Sequence, residues 1–266
     1  LFVSCSWMGV LHLSSAREPL FDRKLFADRN FVIAFVFLML VGATMFATMA
    51  LMPPMLQKLF GYDVIDTGLV LMPRGIGVLI AMQASGWLMR RGFDSRWLVG
   101  AGFLSVGWSL HAMAGWSLET DSYHFFSTAL VQGLGIGLVF LSLNATAFAT
   151  LAPKLRTDGS SLLNLARSIG SAIGISVVTT LAARNLQINH AELAGHVTPE
   201  LSSAIDLSSL DRFQQYGEIG LAAVDGEITR QAAMIAYLDD YYLMGWVCVI
   251  AAPMVLLMRR IKPRGP

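Results

Sequence analysis

Long apolar runs alternate with short charged stretches along this chain of 266 residues. The run 31–56 carries no charged side chain, and others cover 67–89, 97–118, 125–152, 159–183 and 241–258. A helix needs roughly 20 apolar residues to cross the hydrocarbon core of a bilayer, and these runs match that length. Strands of a membrane barrel would alternate apolar and polar positions over about ten residues; these runs are longer and do not alternate. Buried helices of a large soluble core are the competing reading, and so many such runs in one chain of this size argue against it. Residues 1–13 are expected to be the end of a truncated helix that begins upstream, since no basic region precedes the run as in a cleavable signal.

The polar stretches complete the layout. Residues 14–30 form a charged amphipathic connector anchored by Phe21, Leu25 and Phe26. Lys58–Asp66 is a turn centred on Gly61, 90–96 a basic turn, 119–121 an acidic one, and 154–158 another. Residues 184–240 make a long polar segment of modest helical periodicity, expected as an outer loop, and 259–266 a basic tail. The expected fold class is all-α integral membrane, counted as one truncated plus five complete transmembrane helices.

Composition agrees with this. Hydrophobic residues make up 55% of the chain and charged residues 14%, against roughly 25% charged in soluble domains; the mean hydropathy is +0.59. A net charge of +1 and no basic patch with interleaved aromatics give no reason to expect nucleic acid. Cys5 and Cys248 both lie in apolar runs and read as packing residues, not as a disulfide or metal pair.

The distribution of charge says more than its amount. With the tail placed in the cytoplasm and the runs alternated backwards, thirteen Lys and Arg residues fall inside and four outside: Lys58, Arg184, Arg212 and Arg230. This is the positive-inside bias. The segment 184–240 is acidic, with nine Asp and Glu residues from Glu192 to Asp240. One span more or fewer would scramble the pattern.

Charges within a membrane span are costly and point to function or to a partner. Arg74 and Arg167 are the two here. At 100° per residue, Ser160, Asn164, Arg167 and Ser171 share one side of their helix, a polar stripe suited to a cavity or a polar helix partner. Arg167 then lines a cavity, pairs with a carboxylate elsewhere, or snorkels to the surface. Gly170 and Gly174 add a small-residue pair that permits close helix approach. Arg74 follows Pro73 and precedes Gly75 and Gly77, so this span is expected to be broken there, with Arg74 beside the break or snorkelling outward. In the run 125–152, Gln132 begins a glycine-rich stretch, Gln-Gly-Leu-Gly-Ile-Gly, that has no preceding strand and is not a nucleotide loop. Thr128, Gln132, Ser142, Thr146 and Thr150 share a face and read as polar glue; Asn144 points elsewhere, with Gly133 and Gly137. Gln132 and Asn144 join Arg167, Asn164 and Arg74 as candidate substrate-path residues. His111 reads as a hydrogen-bonded packing residue more than a proton relay. No span carries an Asp or Glu in its central portion; Asp66, Asp239 and Asp240 stand at the outer ends. A proton carrier is therefore expected from sequence outside this chain, unless His111 supplies it. An arginine-lined, acid-poor bundle favours anionic or neutral ligands. The chain shows no nucleotide loop, paired carboxylates or nucleophile triad, and neither an enzyme nor a cofactor is expected.

Four stretches carry a family resemblance: REPLFDRKLFADRNF, GYDVIDTGLVLMPRGIGVLIAMQASGWLMRRGFDSRWL, QGLGIGLVFLSLNATAFATLAPKLRTDGSSLLNLARSIGSAIG and RQAAMIAYLDDYYLMG. Together they resemble the C-terminal half of EmrB/QacA-type fourteen-helix drug:proton antiporters of the major facilitator superfamily. The resemblance implies a C-terminal helical bundle over 31–258, rocking against a missing N-terminal half around a midplane site. It implies export of drugs or other amphipathic small molecules against proton entry, across a bacterial inner (plasma) membrane, with a periplasmic adaptor as a further partner. It also places a gating turn at Gly86, Arg90, Arg91 and Asp94. There the family's Gly-x-Leu-x-Asp-Arg reads Gly86-Trp87-Leu88-Met89-Arg90-Arg91, with Arg90 in the acid's place and Asp94 as the alternative partner. A truncated, inactive fragment and a non-transporting membrane scaffold are the other functions open to such a chain.

Overall fold

The computed structural model describes residues 24–149, 151–196 and 210–258, which are helical apart from short turns. Residues 1–13, most of the connector, Cys5, Thr150 and the tail 259–266 lie outside the described residues. After a single helical turn at Lys24–Ala27 come six long helices: α1 (Arg29–Leu59), α2 (Val64–Arg90), α3 (Ser95–Ala114), α4 (Ser122–Ala149), α5 (Arg156–His196) and α6 (Leu210–Met254). Each contains a stretch long and apolar enough to cross a bilayer. Among the described residues the candidate spans number six, where five complete ones were counted from the sequence. The sequence boundaries already enclose six runs; the last, 241–258, is the end of the long helix α6.

An aspartate ahead of an apolar run starts each of the first three helices, because its carboxylate accepts the N–H groups that the first turn leaves free. Asp28 Oδ1 accepts from the N–H of Asn30 at 2.9 Å and of Phe31 at 3.2 Å. Asp63 accepts from Asp66 N at 2.8 Å, and Asp94 from Arg96 N at 3.2 Å. Gly61 (φ 73°) and Gly92 (φ 84°) supply the left-handed residues of the connecting turns.

The expected break at Pro73 is absent: α2 is helical from Val64 to Arg90. Proline removes only one backbone donor, and the backbone just after it is clamped from outside. A Cβ built on Gly133 of α4 would collide with the carbonyl of Arg74, so two main chains touch where a side chain would have kept them apart.

The same device recurs through the bundle. Gly77 and Gly137 continue the α2–α4 contact, against Leu130 and Val78. Gly102 of α3 and Gly135 of α4 face each other's carbonyls. On the other side, Gly42 of α1 stands against the carbonyl of Arg167, and Gly170 and Gly174 of α5 against Met39 and Ala43. Lipid offers no hydrophobic drive between helices, so close backbone approach and dispersion hold them together. Around these contacts lies a core that includes Phe37 and Phe103, 5.3 Å apart. An aromatic cluster closes the end where α1 stops and α4 begins: Trp116 is 4.7 Å from Phe125 and 6.0 Å from Tyr241.

Helices α5 and α6 have 41 and 45 residues. At 1.5 Å per residue each is roughly 60 Å long, about twice the hydrocarbon core. They remain paired along this length: Asn185 Nδ2 donates to Asp239 at 3.4 Å, and beyond Arg230, which bonds the Leu59 carbonyl at the end of α1, His190 Nε2 lies 3.0 Å from Asp225.

Gly133→Ala and Gly170→Ala should each destabilise the bundle by about 1–3 kcal/mol through overpacking. Gly75→Ala, with nothing within 4 Å of the added carbon, should stay within about 0.5 kcal/mol. Thermal unfolding in detergent, read by tryptophan fluorescence, separates them; equal losses at all three positions would refute the backbone-contact account.

Candidate functional site

The five candidate path residues separate into two groups. The first lies along the half-exposed seam between α5 and α4. Asn164 Nδ2 donates to the carbonyl of Ser160 at 3.1 Å, and Arg167 donates to Asn164 Oδ1 at 3.2 Å. The Arg167 guanidinium carbon stands 5.6 Å from the centre of the Phe140 ring. One turn along α4, Asn144 Nδ2 donates to the Phe140 carbonyl at 2.7 Å. Ser160, Asn164, Arg167, Phe140 and Asn144 therefore form one continuous wall. Among the described residues Arg167 has no carboxylate within ion-pair distance. A cation over an aromatic face with one amide contact is held in direction yet free to take an anionic or polar partner.

The second group is buried. Arg74 is 8% exposed, and its guanidinium donates to the Met45 carbonyl of α1 at 3.1 Å. It does not snorkel. Gln132 is 1% exposed and donates to Thr48 Oγ1 at 3.4 Å, while its own Oε1 accepts nothing among the described residues. Met45 and Thr48 are neighbours on one turn of α1, so Arg74 and Gln132 converge there from two different helices.

The other hydroxyls on the Gln132 face divide: Thr128 bonds carbonyls of its own helix, Ser142 Oγ meets no partner among the described residues, and Thr146 reaches α3. Ser109 of α3 donates to the Thr128 carbonyl at 2.8 Å, and Thr146 bonds Ser95 at 2.8 Å. His111 is exposed on α3 with its ring 5.8 Å from that of Tyr242; it stacks and shows no hydrogen bond among the described residues. Cys248 is free and buried on α6. At the turn between α2 and α3, Gly86 lies a turn before the helix end, Arg90 is exposed, and Arg91 covers the Trp87 ring at 3.7 Å. Asp94 caps α3 and lies 4.0 Å from Arg96.

One residue escaped the sequence reading. Asp240 is only 1% exposed, and among the described residues its Oδ2 accepts no hydrogen bond. It stands near the end of a span, as expected, but faces inward. The register shows why: Ala232, Ala236, Asp240, Met244 and Cys248 follow at intervals of four and all are buried. That spacing marks a core stripe, which continues from the last apolar run back into the segment 184–240.

This fold and these interior polar groups define a multi-pass helical membrane protein built to carry polarity within the bilayer. Residues 9–175 match the family model of the Major Facilitator Superfamily. The chain is 30% identical over 222 residues to the Multidrug resistance protein B homolog of Mycobacterium tuberculosis, covering 79% of this chain and 39% of that one. It is 27% identical over 246 residues to the Fatty acid resistance protein FarB of Neisseria gonorrhoeae, covering 91% and 48%. With the Multidrug export protein EmrB of Escherichia coli K12 it shares 26% over 247 residues, 90% and 47%. The chain belongs to the Major Facilitator Superfamily, a family of transporters and not of enzymes. It spans about half the length, or less, of these curated relatives.

A buried guanidinium with one backbone acceptor is a burden on the fold. Arg74→Met, which keeps the length and removes the charge, should leave thermal stability unchanged or raise it by about 1–2 kcal/mol. Differential scanning fluorimetry of purified protein measures this; a clear loss would make Arg74 a structural residue.

Proposed function

We propose that this chain is the C-terminal bundle of a proton-driven exporter of hydrophobic or amphipathic small molecules. It acts in a bacterial inner membrane with its C-terminus in the cytoplasm, against an N-terminal bundle of the same transporter. The carrying observation is the wall of Ser160, Asn164, Arg167, Phe140 and Asn144. It is polar and half-exposed in an otherwise apolar bundle, where lipid would be a poor neighbour. Helices α2 and α5 are also the least buried of the six, which suits two faces covered by a second bundle.

Export as the direction draws on the relatives, named for multidrug export and for fatty acid resistance. Inner-membrane placement and a cytoplasmic C-terminus draw on the positive-inside charge pattern. In that orientation the paired extensions of α5 and α6 face the periplasm, where an adaptor would meet them. The turn at Gly86, Arg90, Arg91 and Asp94 then lies on the cytoplasmic side, and its excess positive charge suits a gate that closes by charge pairing with the other bundle. The amphipathic wall, one guanidinium beside one ring, fits substrates that combine an apolar body with a polar or anionic head.

Everted vesicles bearing the full-length transporter should take up ethidium or a fluorescent fatty acid when energised, and an uncoupler should abolish the uptake. Arg167→Ala should lower it roughly tenfold, the cost of about one charge-assisted contact, at normal expression. Uptake indifferent to the proton gradient would sink the mechanism, and wild-type transport by the variant would remove Arg167 from the path.

A further inference from the structure

We propose that Asp240 is a proton-binding site of this bundle, loaded through the pocket beside it. The inference deepens the proton-driven reading and rests on it for its purpose, though not for its chemistry.

Burial is the first observation. Asp240 is 1% exposed in the middle of a continuous helix, and among the described residues Oδ2 meets no donor. An ionised carboxylate taken out of water without compensating hydrogen bonds costs several kcal/mol. A neutral carboxylic acid at the same place costs far less, and its proton is held on the oxygen that now lacks a partner. The fold therefore makes room for the protonated form and tolerates the ionised one only when something else changes.

Access is the second. A pocket of about 200 Å³ opens between α5 and α6, lined by Ala182, Ala183, Leu186, Ala233, Ala236 and Tyr237. Ala236 and Tyr237 are four and three residues before Asp240, so they lie on the same side of the helix, one turn away. A second cavity of about 450 Å³ shares Leu186, Ala233 and Tyr237 with it and reaches Lys58 and Arg230. Together they lead from the paired extensions of α5 and α6 to the turn above the carboxyl group.

The third is the engagement of the surrounding charges. Arg230 donates to the Leu59 carbonyl at 3.0 Å and lies 3.6 Å from Glu227. Asp239 accepts from Asn185 of α5, and Arg74 of α2 is bound to Met45. His111 of α3 faces Tyr242, Lys58 of α1 and Arg184 of α5 are exposed, and the buried Tyr241 hydroxyl contacts Met55 Sδ at 3.8 Å. Among the described residues no cation is within ion-pair distance of Asp240. Its charge is then balanced by a proton and not by a neighbour. The step is reversible and simple: a proton from the pocket forms the O–H bond on the carboxyl group and leaves by breaking it.

The test is infrared pH-difference spectroscopy of the full-length transporter in liposomes, between about pH 9 and about pH 5, the span in which a buried carboxyl group can titrate. A protonated-carboxyl carbonyl band should grow as pH falls and reverse as it rises. It should vanish in Asp240→Asn, persist in Asp239→Asn, and change frequency in Asp240→Glu, which keeps the acid if the amide variant fails to fold. A band unchanged in Asp240→Glu, or an Asp240 carboxyl whose protonation does not change over that range, overturns the proposal. Because the band is read without substrate, failure of proton-driven uptake in vesicles would strike the export reading alone and leave the proton site standing.

Discussion

Everything else in this bundle hangs on contact between bare main chains. The carbonyl of Arg74 on α2 is received by Gly133 on α4, and the carbonyl of Arg167 on α5 by Gly42 on α1. The correspondence goes further. Three residues beyond each arginine is a glycine, Gly77 or Gly170, and three residues before each receiving glycine is the carbonyl it meets, Leu130 or Met39. The two crossings are thus the same joint used twice, related by exchange of the first three helices with the last three. Gly107 of α3 and Gly245 of α6 meet on the exchange axis, each near the other's carbonyl. Internal repeats of this kind are how facilitator bundles are built. Here the repeat is visible as a shared Arg-x-Ile-Gly at 74–77 and 167–170.

A joint used twice need not serve one purpose twice. The backbone contacts are equivalent, but the guanidinium groups are not. Arg74 is turned into the bundle toward α1, and Arg167 lies over Phe140 at a surface seam. Both helices that carry them, α2 and α5, are the least covered of the six. Glycine contacts hold the backbones where they are, so the difference lies wholly in side chains, which change at little cost to the fold. That division lets the bundle be rigid as a unit while its polar lining stays adjustable, which the proposed rocking against a second bundle requires.

How much of this could be read from sequence follows from which forces act over short range. Apolar length and the segregation of Lys and Arg are local, and they disclosed the spans; the caps at Asp28, Asp63 and Asp94 emerge only with the structure. The α5 stripe was legible too, because Ser160, Asn164 and Arg167 bond along their own helix. Proline at 73 misled for the opposite reason. Its local preference is for a break, and the force that overrides it comes from Gly133, far along the chain. Gln132 and Arg74 were legible as polar residues in a span, but their convergence on one turn of α1 is a tertiary fact that no periodicity contains.

Asp240 shows how a boundary can hide chemistry. A boundary drawn where the uncharged run begins, at Tyr241, places it outside the last span, among acidic residues of a polar segment. Register places it inside, on the stripe from Ala232 to Cys248. The two criteria answer different questions: an uncharged run marks where lipid begins, whereas register marks which side of the helix meets the bundle. Near the end of a span a helix can leave the lipid while one face is still covered by its neighbours. Here α5 and α6 run on together past the end of α1, and their mutual packing carries low-dielectric surroundings beyond the point where hydrophobic composition fades. An acid-poor reading of this bundle was therefore a statement about its lipid-facing length. Its interior does contain a carboxyl group, set where two overlong helices keep water at the distance of a pocket.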